Sequence, residues 1–228
     1  MAVDIFQFWS NVKVKEMKFG NDEFCHPADK DVLSRAEHKF DLKCWPGCFS
    51  GPLKHAPIVL LYLSPGLSKQ DRINAKTRAK QKRYAGQQFG RRPLAGPDRH
   101  HAAWKWWTGR TKAFGLDWEL LRNSVAVLNI GAYHSRTLAD TSILAALPLS
   151  RVTLDWAQSV LFPEAIVGHR IVICLRAARF WGLRAGKTGK RYGNGLFAPV
   201  VTRGGHMESK PLRREIIDAV RKRLARHK

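Results

Sequence analysis

The feature that most constrains this chain is residues 56–71, Ala-Pro-Ile-Val-Leu-Leu-Tyr-Leu-Ser-Pro-Gly-Leu-Ser-Lys-Gln-Asp. From Ile58 the residues are apolar with hardly a break up to Ser64-Pro65-Gly66, and a strongly polar, helix-like run follows. A continuous apolar run of this length reads as a strand buried on both faces, which belongs in a parallel sheet flanked by helices. Residues just past the carboxyl end of such a strand lie where open α/β sheets place their ligands. Pro65 fixes the backbone and removes a donor, while Gly66 permits positive φ and the close approach of a ligand. Ser64 is thus expected in a stiff turn at the mouth of a cleft, although the same turn chemistry also serves ordinary strand-to-helix connections.

The rest of the chain repeats the pattern. Residues 125–130 (Val-Ala-Val-Leu-Asn-Ile), 171–175 and 196–202 read as further strands; the first and last of these end in a polar or glycine-containing turn, and 171–175 leads into a helix. Helices are expected near 31–40, over 71–84 and 141–162, from the third strand through Trp181, and from about Pro211 to the end. In that last helix Leu212, Ile216, Ile217, Val220 and Leu224 form one stripe, with Ser209 as N-cap and Pro211 in the first turn. Residues 182–195, glycine-rich and basic, read as a loop. Strand–helix units repeated about four times predict an α/β fold, three layers α/β/α around a short, mostly parallel four-stranded sheet. A chain of 228 residues suits one domain. Residues 1–55 are a loop-rich lead-in, whose first helix covers one sheet edge, and 56–228 form the α/β core.

Charge points to the partner. Forty Lys and Arg against eighteen Asp and Glu give a formal net charge of +22. Such an excess favours a polyanion, nucleic acid or an anionic surface. No apolar run is long enough to span a bilayer, and residues 1–6 lack the basic and apolar regions of a secretory signal, so a cytoplasmic protein without membrane attachment is expected. Nothing such as a heptad seam demands a second copy, so a monomer is expected. Residues 69–112 hold thirteen Lys or Arg and two acids, with Trp104, Trp106 and Trp107 set among Lys105, Arg110 and Lys112. Basic residues interleaved with aromatics suit single-stranded or distorted nucleic acid, through phosphate neutralisation and base stacking. Lys69, Arg72, Arg91, Arg92, Lys105, Arg110 and Lys210 are the candidate DNA contacts. The competing account is that the tryptophans are core and the charges solvated.

Of the four cysteines, Cys174 lies in an apolar run and reads as a core residue. Cys25, Cys44 and Cys48, with His26 and His38 nearby, lack the paired short spacings of a structural zinc site. Reduced thiols are expected, with no metal and no cofactor.

Three strand-end turns, in order, carry a family resemblance. Ser64-Pro65-Gly66 follows the first strand, Val127-Leu128-Asn129 closes the second, and His206-Met207-Glu208-Ser209 precedes the last helix. Together they resemble motifs of the uracil-DNA glycosylase superfamily, nearest to its mismatch-specific branch with Asn-Pro-Gly, over residues 57–228. The resemblance implies a DNA glycosylase that extrudes a base from the duplex and hydrolyses its glycosidic bond, leaving an abasic site. Asn129 would read the base edge, and His206 would donate to the base oxygen where negative charge develops. Pro65, Gly66, Tyr133 and Ser135 would line the base site.

The departures from that family are specific. Many members carry an acid or Asn at the position of Ser64 to orient water, and Ser is a poor base without an activating group. Asp71, His134 and Glu208 are the candidates for that help. Gly66 stands where some members set a Tyr beside C5 of the base, which implies a pocket open to a C5 substituent, such as a hypermodified pyrimidine of phage DNA. A repair or anti-phage defence role follows as an expectation. Met207 replaces the family's Pro, and no cysteine pattern matches the iron–sulfur members. Two other classes compete: a non-catalytic nucleic-acid-binding protein on a degenerate glycosylase fold, and a metal-dependent nuclease. The latter is disfavoured because the sequence offers no compact Asp/Glu cluster for Mg²⁺.

Overall fold

The computed structural model describes residues 3–20, 22–97, 102–137 and 141–226, with the side chain of Arg78 excepted. Of the basic stretch 69–112, residues 98–101 lie outside that description. Eight strands are found among the described residues. β1 (Lys18–Phe19) and β2 (Glu23–Phe24) form a small antiparallel ladder. The main sheet contains β3 (Phe49–Ser50), β4 (Ile58–Tyr62), β5 (Val125–Asn129), β6 (Ile171–Cys174), β7 (Lys190–Tyr192) and β8 (Leu196–Ala198), in the order β3-β5-β4-β6-β8-β7. The four inner strands are parallel, and β3 and β7 pair antiparallel at the edges.

The apolar runs are strands because both faces are covered. Along β4, Ile58, Leu60 and Tyr62 enter one core while Val59 and Leu61 enter the other. β5 and β6 alternate in the same way: Val125, Val127, Ile171 and Ile173 face the first core, Ala126, Leu128, Val172 and Cys174 the second. The first core is closed by the tryptophan helix (Ala102–Thr111), the helix Trp118–Ser124 and the C-terminal helix (Pro211–Ala225), the second by the lead-in and the helices Pro148–Trp156 and Phe162–Ile166. Helices on both faces of a mostly parallel sheet make the α/β class plain. In the lead-in, the rings of Phe6 and Trp9 meet Phe49 of the edge strand at 5.6 and 6.2 Å.

Several expectations are corrected. The sheet has six strands, not four, because two short edge strands cap the parallel core. Residues 71–84 do not form one helix but two, Lys69–Ala75 and Arg78–Ala85. The break falls where Asn74 is fully buried and its Oδ1 accepts from Gln70 Nε2 at 3.1 Å and Lys80 Nζ at 2.9 Å. Residues 182–195 contain β7 rather than only loop. Pro211 does open the last helix, but Lys210, not Ser209, is its N-cap residue.

Candidate active site

The chain order of the four parallel strands is second, first, third, fourth across the sheet. The direction of winding therefore reverses between β4 and β6, and a crevice forms outside the carboxyl ends at such a reversal. Leu175 N and Arg176 N both donate to Leu61 O there, at 3.1 and 3.2 Å. On the other side of β4, the chains stay in step beyond the strands. Ile130 N donates to Tyr62 O at 3.3 Å, Gly131 N to Leu63 O at 2.8 Å, and Ser135 N to Pro65 O at 3.4 Å, with a parallel bridge between Gly66 and Ser135. His134 Nδ1 donates to Gly66 O at 2.8 Å, which fixes the proton on that nitrogen.

Asn129 pairs in register with Tyr62, so the two side chains share the face covered by the tryptophan helix. Asn129 is 8% exposed, yet its amide makes no hydrogen bond with another described residue. The Asn129 side chain is not among the sealed, unsatisfied polar groups, so its donors and acceptor are open to hydrogen bonding from outside the fold.

After β8 the chain turns back on itself. Val201 bridges Met207, Thr202 N donates to His206 O at 2.9 Å, and Gly205 N donates to Thr202 O at 2.9 Å. Gly205 has φ +76°, and a Cβ there would stand 3.2 Å from the Tyr62 ring and 3.3 Å from Arg176. Only glycine lets this hairpin lie against β4 and β6 together. His206, the next residue, is exposed beside this contact.

Arg110, from the tryptophan helix, fastens this hairpin. Its Nη1 lies 2.6 Å from His206 Nε2 and its Nη2 donates to Gly204 O at 2.6 Å. The guanidinium also stands over the Trp106 ring at 5.5 Å, and Trp106 packs edgewise on Tyr62 at 4.8 Å. A guanidinium only donates, so His206 Nε2 must accept and the proton of the neutral ring sits on Nδ1. Partial burial and the neighbouring Arg110 charge both lower the His206 pKa, so the ring is neutral at neutral pH. What His206 offers a ligand is an Nδ1–H donor.

The remaining expected residues separate clearly. Ser64 stands at the strand end beside Gly131, but no described residue hydrogen-bonds its hydroxyl. Asp71 does not reach it: its Oδ2 accepts from Ser68 N and Oγ, both at 2.7 Å, closing a capping box on the helix Lys69–Ala75. His134 is spent on Gly66 O, and Ser135 is buried. Glu208 lies on the return arm of the hairpin, where its N donates to Val200 O at 2.9 Å. Gly66 lies outside the positive-φ set, so it does not use the freedom expected of it; what it supplies is space, since nothing lies within 4 Å of an added Cβ. Tyr133, expected at the base site, instead turns inward. Its hydroxyl donates to Asp29 Oδ2 at 2.7 Å and accepts from His26 N at 3.1 Å, because a phenol buried in the core must find polar partners. Arg72 is held by Asp41 at 2.9 Å, pinning the lead-in to the helix. Lys69, Arg91, Arg92, Lys105 and Lys210 are exposed.

Tyr62, Trp106, Arg176 and Gly205 were not singled out as site residues from the sequence. Tyr62 carried a signal, as the one residue with a polar handle in an apolar strand. Gly204-Gly205 before His206 carried another. All four cysteines are free and buried, and burial pushes their thiols up, to about 11 at Cys25 and about 12 at the others. They are therefore protonated, unreactive thiols. Among the described residues, no three His, Cys, Asp or Glu side chains converge as a metal site, and no helix is long and apolar enough to cross a membrane. Comparison with protein-family models gives no match, and comparison with curated proteins gives none.

Proposed function

We propose that the chain is a DNA glycosylase that extrudes a base into the crevice beyond β4, β5 and β8 and cleaves its glycosidic bond without a cofactor. The observation that most supports this is that two complementary groups both flank Tyr62 at the carboxyl end of β4: Asn129, its register partner on β5, and the turn Gly205-His206, whose His206 ring is clamped by Arg110. Asn129 is suited to the Watson–Crick edge of a pyrimidine, since its amide donates and accepts together. Bond cleavage leaves negative charge on the base and positive charge on the sugar. The neutral His206 donates its Nδ1 proton to the charged base oxygen as a hydrogen bond, and Arg110 stabilises that charge from behind. Extrusion costs a few kcal/mol, offset by phosphate contacts from the exposed Lys and Arg.

The open space at Gly66 favours a base with a C5 substituent, of the hypermodified pyrimidine kind, and with it a defence or repair role. Ser64 fits a water-positioning role only in a mechanism where the sugar cation is nearly formed before attack, because no base among the described residues hydrogen-bonds its hydroxyl. The same observation favours a second reading, a nucleic-acid-binding protein on this fold without catalysis. Asn129→Ala and His206→Ala separate the two. Each lowers base release by about 10²–10³-fold while duplex binding stays near that of the parent. Release unchanged in both variants would remove these residues from the site.

A further inference from the structure

A cavity of about 230 Å³ lies on the other side of Trp106, whose ring also packs on Tyr62. Its walls include Arg83, Arg92 and Arg122, the last paired with Glu119, with Gln87 and the indoles of Trp106 and Trp107, and among the described residues no acidic side chain lines it. Most of the walls are fixed by the fold. Arg122 Nε donates to Leu94 O at 3.1 Å, Trp107 Nε1 to Ala95 O at 2.9 Å, and Gln87 Oε1 accepts from Gly51 N at 3.0 Å. Arg92 lies against Gly86, where an added Cβ would collide with the guanidinium. Arg83 and Arg92 are exposed, and neither is paired with a carboxylate among the described residues.

A recess that combines the guanidinium forks of Arg83 and Arg92 with indole walls, and no acidic side chain among the described residues, suits a planar, anionic ligand. Guanidinium matches the oxygens of a phosphate, and indole stacks on a base whatever its identity. Trp106 joins this cavity to the candidate site, since it also packs on Tyr62 and under Arg110. We propose that this cavity seats the nucleotide next to the extruded one on the same strand, its base against Trp106 and its phosphate on Arg83 and Arg92. The proposal rests on the glycosylase reading for the meaning of "extruded", but its chemistry can be tested separately. Seating a neighbour unpaired makes the substrate a strand that is single or locally opened, rather than an intact duplex with one flipped base.

The test uses single-stranded oligonucleotides carrying a fluorescent adenine analogue whose emission falls on stacking, titrated onto the full chain. Wild type is expected to quench the probe, Trp106→Leu to lose the quenching, and Trp106→Phe to restore it. Arg83→Gln with Arg92→Gln is expected to weaken binding about tenfold at low salt and to make the salt dependence shallower, by about 0.7 in log–log slope for each phosphate no longer neutralised. Lys187→Gln with Lys190→Gln, an equal loss of charge in the β7 region at the other sheet edge, is the control and is expected to change binding less. Quenching that survives Trp106→Leu, or a control as weak as the arginine pair, overturns the assignment. Displacement of the probe by an equal concentration of free mononucleotide overturns its placement within a strand. Base release by wild type with binding unchanged in the arginine pair counts against the cavity alone; the expected binding pattern without base release counts against the glycosylase reading alone.

Discussion

At the scale of the residue, the proposed chemistry turns on the contact between Arg110 and His206. Because the pKa of His206 lies below its ordinary value, the neutral ring persists as pH falls past the usual histidine range and is lost only further into acid. Base release should therefore hold across neutral pH and fall on an acid limb whose midpoint is below 6.5, the unperturbed value. Arg110→Gln removes the cation, so the limb should move to higher pH while the plateau drops about 10²-fold. A pH–rate profile of the two proteins reads both effects, and an acid limb that does not move would separate His206 from the reaction. Gly66→Tyr fills open space beside Pro65; it should abolish release of bases bearing bulky C5 groups while sparing unsubstituted ones, as competition between two substrates would report. Asn129 and His206 were legible in the sequence because a polar residue at the end of an apolar run stands out. Arg110 was legible only as a charge, since its partner lies 96 residues away and nothing local marks the pairing.

At the scale of the element, the strands that could be read were those buried on both faces. β3 and β7 could not be read. They hold two and three residues, lie between glycines, and in β7 present Lys190 and Arg191 outward, so neither periodicity nor hydrophobicity marks them. Tyr133 misled for the converse reason, since a tyrosine after a strand suits a pocket or the core equally well until the depth of Asp29 is known. That network sets up a pH prediction. Burial raises Asp29 from 3.8 to about 6, and burial lowers His26 from 6.5 to about 4. The contribution of Asp29 is complete below 3.8 and is lost as pH rises to about 6, whereas that of His26 is complete above 6.5 and is lost as pH falls to about 4. The two slopes oppose each other, so this pair leaves stability nearly flat between about 4 and 6. Asp29→Asn removes one slope, and urea midpoints of the variant should fall steadily as pH drops through that window. A variant as flat as its parent would contradict the assignment. The hairpin holding His206 has its own test. Gly205→Ala forces a Cβ into a left-handed position against Tyr62, and should cost about 1 kcal/mol or more in stability and reduce base release through a displaced His206.

At the scale of the whole molecule, the sequence conveyed the α/β class, because four apolar runs separated by helical stretches leave few other arrangements. The strand order, and with it the reversal between β4 and β6, was not legible, since periodicity carries no information on which strands neighbour each other. The net charge of +22 belongs to the entire chain, and under the proposed function it would make affinity for DNA a steep function of salt. If six or more phosphates are neutralised, affinity should fall by about 10³-fold between 50 and 200 mM salt, measurable by anisotropy with any unmodified oligonucleotide. Charge alone gives binding and not chemistry, so the central claim rests on the base itself. The most direct measurement is to incubate the purified protein, with EDTA present, on uracil-containing DNA, on mismatched DNA and on DNA carrying hypermodified cytosines, and to detect free base by mass spectrometry and abasic sites by alkaline cleavage. Release of free base from at least one substrate, strongest for the C5-modified DNA and lost in Asn129→Ala, is the predicted result. Binding to all three without release of any base would contradict the account and leave a nucleic-acid-binding protein.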